Sequence, residues 1–266
     1  MAEANEVLIE QRNHIGVITF NRPERRNALS PAMLVRLHEA LEQWSEEGAV
    51  RVVVLTGAGE KAFSAGYDIR AIPTDLTAET AQRLRESNPL ELGLRSVKNF
   101  PYPTIAMLNG YCFGGALNLA LCCDLRVGVN DIAVGMPPAR LGVVYPHEGI
   151  AQFVSVLGTA RARELFFTGR TYRGEEVLAM GLANRLVPRE DLEADVFGLA
   201  DEIAANAPMA LRGIKRVINL VERETPLSDK SRDEADALFA GALRSDDAKE
   251  GQQAFVEKRR PRFTGQ

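Results

Sequence analysis

The sequence is short of the residues that build metal centres and disulfide frameworks. It has three cysteines and three histidines in 266 residues. Cys112, Cys122 and Cys123 have no metal-ligand spacing, and their odd number suits no set of disulfides. All three fall in an apolar, glycine-rich stretch and read as buried thiols. No segment approaches the roughly 20 apolar residues that cross a bilayer, and Met1 to His14 lack the basic start and apolar run of a signal peptide. A cytoplasmic protein is therefore expected. There is no internal repeat and no low-complexity tract. A formal charge of -4 gives no electrostatic case for nucleic acid. With 45% hydrophobic and 26% charged residues, the chain is expected to be globular rather than disordered or fibrous.

The patterns that are present alternate between strand and helix. Val7–Gln11 and His14–Phe20 read as a hairpin turning at Arg12-Asn13, because Ile15, Val17 and Thr19 alternate with their neighbours. Ser30-Pro31 supplies an N-cap and a first-turn proline, and Leu34, Leu37, Leu41 and Trp44 then share one helical face. Val52–Leu55 and Thr104–Leu108 are continuous apolar runs, as expected of strands buried on both faces. A charged helix is expected from about Ala78 to Lys98, and another over Gly115–Cys123. Strands are expected at Leu125–Val129, Ile132–Val134 and Leu182–Val187, with helix elsewhere from Glu148 onward. The repeated strand–loop–helix pattern predicts an α/β fold. A shift to nearly all-helical composition near residue 200 divides it into a core, 1–200, and a helical region, 201–266.

Two segments invite a ligand. Gly57-Ala58-Gly59-Glu60-Lys61-Ala62 fits a dinucleotide fingerprint after a strand. Phe63-Ser64-Ala65-Gly66 follows it, however, and that is poor material for the helix the fingerprint requires. A loop is the better reading. More informative is the pair Phe63-Ser64-Ala65-Gly66-Tyr67-Asp68 and Phe113-Gly114-Gly115-Ala116, each behind a buried strand. Glycines there permit close backbone approach and free main-chain N–H groups. Two such loops can aim two donors at one developing oxyanion, although tight turns alone would also explain the glycines.

AFSAGYDI, PTIAMLNGYCFGGALNLALCCDLR, LGVVY, TGRTYRGEEVLAMGLANRLVP and EGQQAFVEKRRPRF, together with NRPERRNAL, resemble the crotonase (enoyl-CoA hydratase/isomerase) superfamily over nearly the whole chain. The resemblance implies a spiral of ββα units with a C-terminal helical trimerisation region. It also implies a homotrimer or dimer of trimers, and an acyl-CoA thioester as substrate with no separate cofactor and no metal. It assigns the oxyanion donors to the N–H groups of Tyr67 and Gly115. It places Arg25, Ala28, Ala65, Asp68, Ile69 and Lys258 against coenzyme A, although Arg25 and Lys258 also fit ordinary solvated charges.

Hydratases of the superfamily hold water between two glutamates, at positions occupied here by Asn118 and Pro138. Neither side chain can exchange a proton as a carboxylate does. FSAGYDIRAIP, Asn88-Pro89-Leu90, LGVVYPHEGI and EGQQAFVEKRRPRFTGQ resemble most the superfamily's methylmalonyl-CoA decarboxylases. The chemistry expected on that ground is decarboxylation of a short malonyl-type thioester, with Tyr145 as the assisting hydroxyl. Tyr145 also fits a pocket tyrosine with a satisfied hydroxyl. His147 and Glu148 are alternative acid/base groups that would restore hydratase or isomerase chemistry. Glu148 is equally explained by a helix N-terminus. A non-catalytic acyl-CoA-binding protein is the remaining alternative.

Overall fold

The computed structural model describes residues 6–68, 88–141, 144–224, 228–257, 259 and 261–266. Its backbone is a six-stranded sheet in the order β1-β2-β3-β5-β7-β10 and a four-stranded sheet in the order β4-β6-β8-β9. The first contains β1 (Val7–Arg12), β2 (Ile15–Phe20), β3 (Val52–Gly57), β5 (Thr104–Leu108), β7 (Leu125–Val129) and β10 (Arg185–Val187). Only β1 runs antiparallel to its neighbour. β3 is buried at every position, which is why its sequence is a continuous apolar run rather than an alternating one.

The second sheet holds β4 (Ala62–Ser64), β6 (Tyr111–Phe113), β8 (Ala133–Gly135) and β9 (Thr171–Arg173). β3, β5 and β7 each continue after a short turn into β4, β6 and β8. The chain thus repeats strand–strand–helix, the spiral expected from the sequence. Ala62–Ser64 and Tyr111–Phe113 fall in glycine-rich segments that predict loop, and Thr171–Arg173 in the stretch after Glu148 that predicts helix. Each is only three residues long, too short for periodicity to register, and pairing across the sheet decides its conformation. The hairpin turn lies one residue later than expected, at Asn13-His14, with Asn13 at a left-handed φ of 53°.

The helices among the described residues are α1 (Pro31–Glu47), α2 (Pro89–Asn99), α3 (Gly115–Cys122), α4 (His147–Thr168), α5 (Glu175–Ala179), α6 (Leu192–Ala204), α7 (Pro208–Arg223), α8 (Asp229–Arg244) and α9 (Asp246–Glu257). Ser30 caps α1 by accepting the Met33 N–H at 3.2 Å, a contribution of about 1 kcal/mol. Met33, Leu34, Leu37, Ala40, Leu41 and Trp44 form its buried face. The expected helix from Ala78 begins, within the described residues, at Pro89 under an Asn88 cap; the rest of that expectation lies outside them. α6, which crosses residue 200, packs on β3, β5 and β7. No described helix is long and apolar enough to cross a membrane.

An ion pair made by a buried lysine anchors α7 to the core. Lys215, 6% exposed, donates to Asp124 Oδ2 at 2.7 Å and to the Tyr102 carbonyl at 2.9 Å. The same Asp124 oxygen accepts from Thr104 N and Oγ1 at the start of β5. Removing Asp124 strands the buried Lys215 charge, whereas removing the lysine leaves a carboxylate that is partly solvated and still bonded to Thr104. Asp124→Ala should therefore cost about 3 kcal/mol in urea unfolding and Lys215→Met distinctly less. Equal losses would contradict this account of the pair.

Candidate functional site

Three loops meet at the carboxyl end of β3. Asn27, fully buried at a left-handed φ of 56°, accepts from Arg22 N and donates to the Ala58 and Ala62 carbonyls. It thereby ties the loop before α1 to the Gly57–Lys61 turn. That turn leads into β4, not a helix, so it lacks the helix N-terminus a pyrophosphate needs. Leu29 and Tyr67 then form a parallel bridge, with Leu29 N donating to Gly66 O and Asp68 N to Leu29 O.

This bridge orients Tyr67. In a parallel pair the residue flanked by both bonds has its own N–H directed away from the partner strand. Away from Leu29 lies the second glycine loop. A Cβ on Gly66 would sit 2.8 Å from Phe113 O and 3.7 Å from Gly115 N, and one on Gly115 would sit 3.5 Å from Tyr67 Cβ. Gly115 opens α3, so its N–H has no partner within the helix. The Tyr67 and Gly115 N–H groups donate to no group among the described residues.

Arg25, Ala28, Ala65 and Asp68 cluster on the other side of the bridge. Ala65 N donates to Arg26 O at 2.9 Å, and Asp68 lies 3.4 Å from Arg22 and 3.8 Å from Arg25. Ile69 and Lys258 lie outside the described residues. Sequence reasoning missed Arg22, which is almost buried and braces the loop by donating to Ala28 O while pairing with Asp68 and Glu6.

One turn along α3 from Gly115, on the same face, stands Asn118, and Cys122 follows a turn later. These two line a cavity of about 470 Å³ together with Glu91, Leu94, Glu148, Gly149 and Gln152 from α2 and α4. Glu91 and Leu94 were not singled out by the sequence. Glu148 is half exposed, and its Oε2 lies 3.1 Å from Nδ1 of His147, which is 92% exposed. Asn118 Nδ2 donates to the Tyr145 hydroxyl at 3.2 Å. The Tyr145 ring packs on Phe153 and Phe166 and faces a second, apolar cavity of about 320 Å³, also lined by Pro138. The structure thus brings Asn118, Glu148 and Tyr145 together, sets Pro138 behind Tyr145, and leaves His147 at the surface.

Burial pushes the Tyr145 phenol up to about 12, and the Asn118 hydrogen bond only partly offsets it. Burial, and then the Asp68 charge, raise Tyr67 as well. The three cysteines are buried and free, their thiols raised by desolvation and therefore held protonated. Because the fold favours neutral Tyr145, the stability linked to it is complete below the ordinary tyrosine value of 10.0 and is lost as pH rises through about 12. An ultraviolet titration of the folded protein should show a phenolate component near 12 that Tyr145→Phe removes. Its persistence in that variant would assign the shift elsewhere.

Residues 10–266 match the family model for enoyl-CoA hydratase/isomerase. A solved enoyl-CoA hydratase/carnithine racemase from Magnetospirillum magneticum superposes with a TM-score of 0.91 at 36% identity, covering 99% of this chain and 97% of that one. The short-chain-enoyl-CoA hydratase of Clostridium acetobutylicum is 30% identical, over 97% of both chains. The carnitinyl-CoA dehydratase of Escherichia coli is 33% identical, over 93% of this chain and 94% of its own. Family model, relatives and superposition agree over nearly the full length: this chain is a crotonase-fold acyl-CoA enzyme and belongs to the enoyl-CoA hydratase/isomerase family.

Proposed function

We propose that the protein adds water to, or removes it from, a short enoyl-CoA thioester, with Glu148 as its working carboxylate. One observation carries this reading: Glu148 and Asn118 wall the same cavity, on the face of α3 that begins at Gly115. In this reading the thioester oxygen sits between the Tyr67 and Gly115 N–H groups, which stabilise the enolate as negative charge develops. Glu148 takes over the proton transfer that Asn118 and Pro138 cannot perform, and its half-exposed position lets it exchange protons with solvent. The names of the relatives above, hydratases and a dehydratase, support water chemistry over loss of carbon dioxide.

Coenzyme A enters as part of the substrate. Arg25, Ala28, Ala65 and Asp68 form the groove that receives it, and Ile69 and Lys258 join them by family position. We take the chain to be cytoplasmic and to assemble as a homotrimer or dimer of trimers. Exposed Ile214 and Ile218 on α7, an apolar surface among the described residues, support assembly.

Decarboxylation of a malonyl-type thioester is the second reading, favoured by the absence of a carboxylate at 118 and 138 and by the hydrogen-bonded hydroxyl of Tyr145. Crotonyl-CoA, malonyl-CoA and methylmalonyl-CoA separate the two. Hydration of crotonyl-CoA is expected, lowered by ~10²-fold or more in kcat by Glu148→Gln. Carbon dioxide release without hydration would restore the decarboxylase reading, and unchanged turnover in the variant would remove Glu148 from the chemistry.

A further inference from the structure

Three helices meet twice around the cavity beyond Gly115. At the Gly115 end the contacts are close. A Cβ on Gly115 would lie 3.3 Å from both Cδ atoms of Leu90, in the first turn of α2. One on Gly149, in the first turn of α4, would lie 2.3 Å from Tyr145 Cε1 and 2.9 Å from Asn118 Nδ2. From there the helices send residues down the cavity at helical spacing: Leu94 and Lys98 from α2, Asn118 and Cys122 from α3, Gln152 and Ser155 from α4. At the far end Gln152 Nε2 donates to the Leu121 carbonyl at 2.9 Å, and Lys98 Nζ donates to Gln152 Oε1 at 2.5 Å.

The two ends differ from the middle in kind. Leu94 and the buried, protonated thiol of Cys122 make the middle apolar. The far end is ionic. Lys98 also pairs with Glu222 of α7 at 2.9 Å, and Ser155 donates to the same carboxylate oxygen. Burial pushes the Glu222 carboxyl up, but Ser155 and Lys98 outweigh it and hold it below its ordinary value, so the pair is charged at neutral pH. About a quarter of each side chain stays exposed, enough to keep water on both charges. Gly115 and Cys122 lie two turns apart, ~10 Å along α3. A hydrogen bond at the Gly115 end takes ~3 Å of that, and an extended chain advances ~1.2 Å per bond. Room remains for about six carbons.

We infer that the Lys98–Glu222 ion pair sets the length limit of the acyl group: methylenes up to about the sixth carbon gain affinity, and those beyond it gain none. Further methylenes would lie against two hydrated charges, where no apolar surface is left to cover. This rests on the reading that places the thioester oxygen at Gly115. It makes Lys98 and Glu222 specificity-determining residues, remote from the reacting atoms.

The test uses unreactive S-alkyl thioethers of coenzyme A, from butyl to decyl, in calorimetric binding to the full chain. The native protein should bind S-hexyl-CoA ~10-fold more tightly than S-butyl-CoA, as expected for two methylenes buried against apolar wall. It should bind S-decyl-CoA no more tightly than S-hexyl-CoA. Lys98→Met/Glu222→Met removes both charges together and strands neither. Its ratio of S-decyl to S-hexyl affinity should rise ~10-fold or more, with the binding stoichiometry reporting the folded fraction. Native affinity that climbs evenly to S-decyl-CoA, or an unchanged ratio in a folded double variant, would overturn the assignment. Hydration of 2-hexenoyl-CoA is assayed on the same preparations. A break in thioether affinity without any hydration keeps the length limit and removes only the hydratase reading.

Discussion

The site depends on one close approach of backbone to backbone. Gly66, at a φ of 108°, runs so near the Phe113 carbonyl that no side chain would fit between them. That contact brings the loop after β4 against the N-terminus of α3, and we propose that it directs the Tyr67 and Gly115 N–H groups at one thioester oxygen. Both loops are held there from outside. Asn27 and Arg22 brace the first, and the pairing of β4 with β6 fixes the level of the second. Main-chain donors held in this way need no rearrangement when charge develops, which is what makes them effective.

Among the described residues, the cavity beyond those donors carries Glu91, Glu148 and Glu222 as its carboxylates, and Lys98 pairs with Glu222. Asn118 and Pro138 cannot titrate, the buried cysteines are held protonated, and Tyr145 stays neutral through ordinary pH. Glu148 is the carboxylate contributed by α4, and Glu91 of α2 is engaged by Arg95. The arrangement divides labour between fixed uncharged groups that orient a ligand and a carboxylate at the cavity rim that remains in contact with solvent.

The central strands β3, β5 and β7 were readable in advance because they are buried on both faces, and burial of that kind leaves continuous apolar runs such as Val52–Leu55. Of the small sheet, β8 was legible within one residue, whereas β4 and β6 were not, because Ala62–Ser64 and Tyr111–Phe113 owe their conformation to partners distant in the chain. The glycine loops stood out by composition, yet their meeting is a tertiary fact that spacing alone does not contain. Tyr145 was singled out from the sequence, but its partnership with Asn118 was not. The two residues lie 27 positions apart, and Gly149, which makes room for the contact, carries no signal of its own. Likewise His147 and Glu148, adjacent in sequence and in contact at 3.1 Å, differ in setting: only Glu148 lines the cavity, because a helix turns successive side chains about 100° apart.

The central claim is that Tyr67 and Gly115 polarise a thioester carbonyl. The infrared carbonyl stretch of crotonyl-CoA labelled with carbon-13 at the thioester carbon reads this directly on the bound ligand. The account predicts a shift to lower frequency on binding to the native protein and its loss in Gly66→Ala, where the added methyl forces the two loops apart. A bound frequency equal to that in water, or a full shift retained in Gly66→Ala, would contradict it.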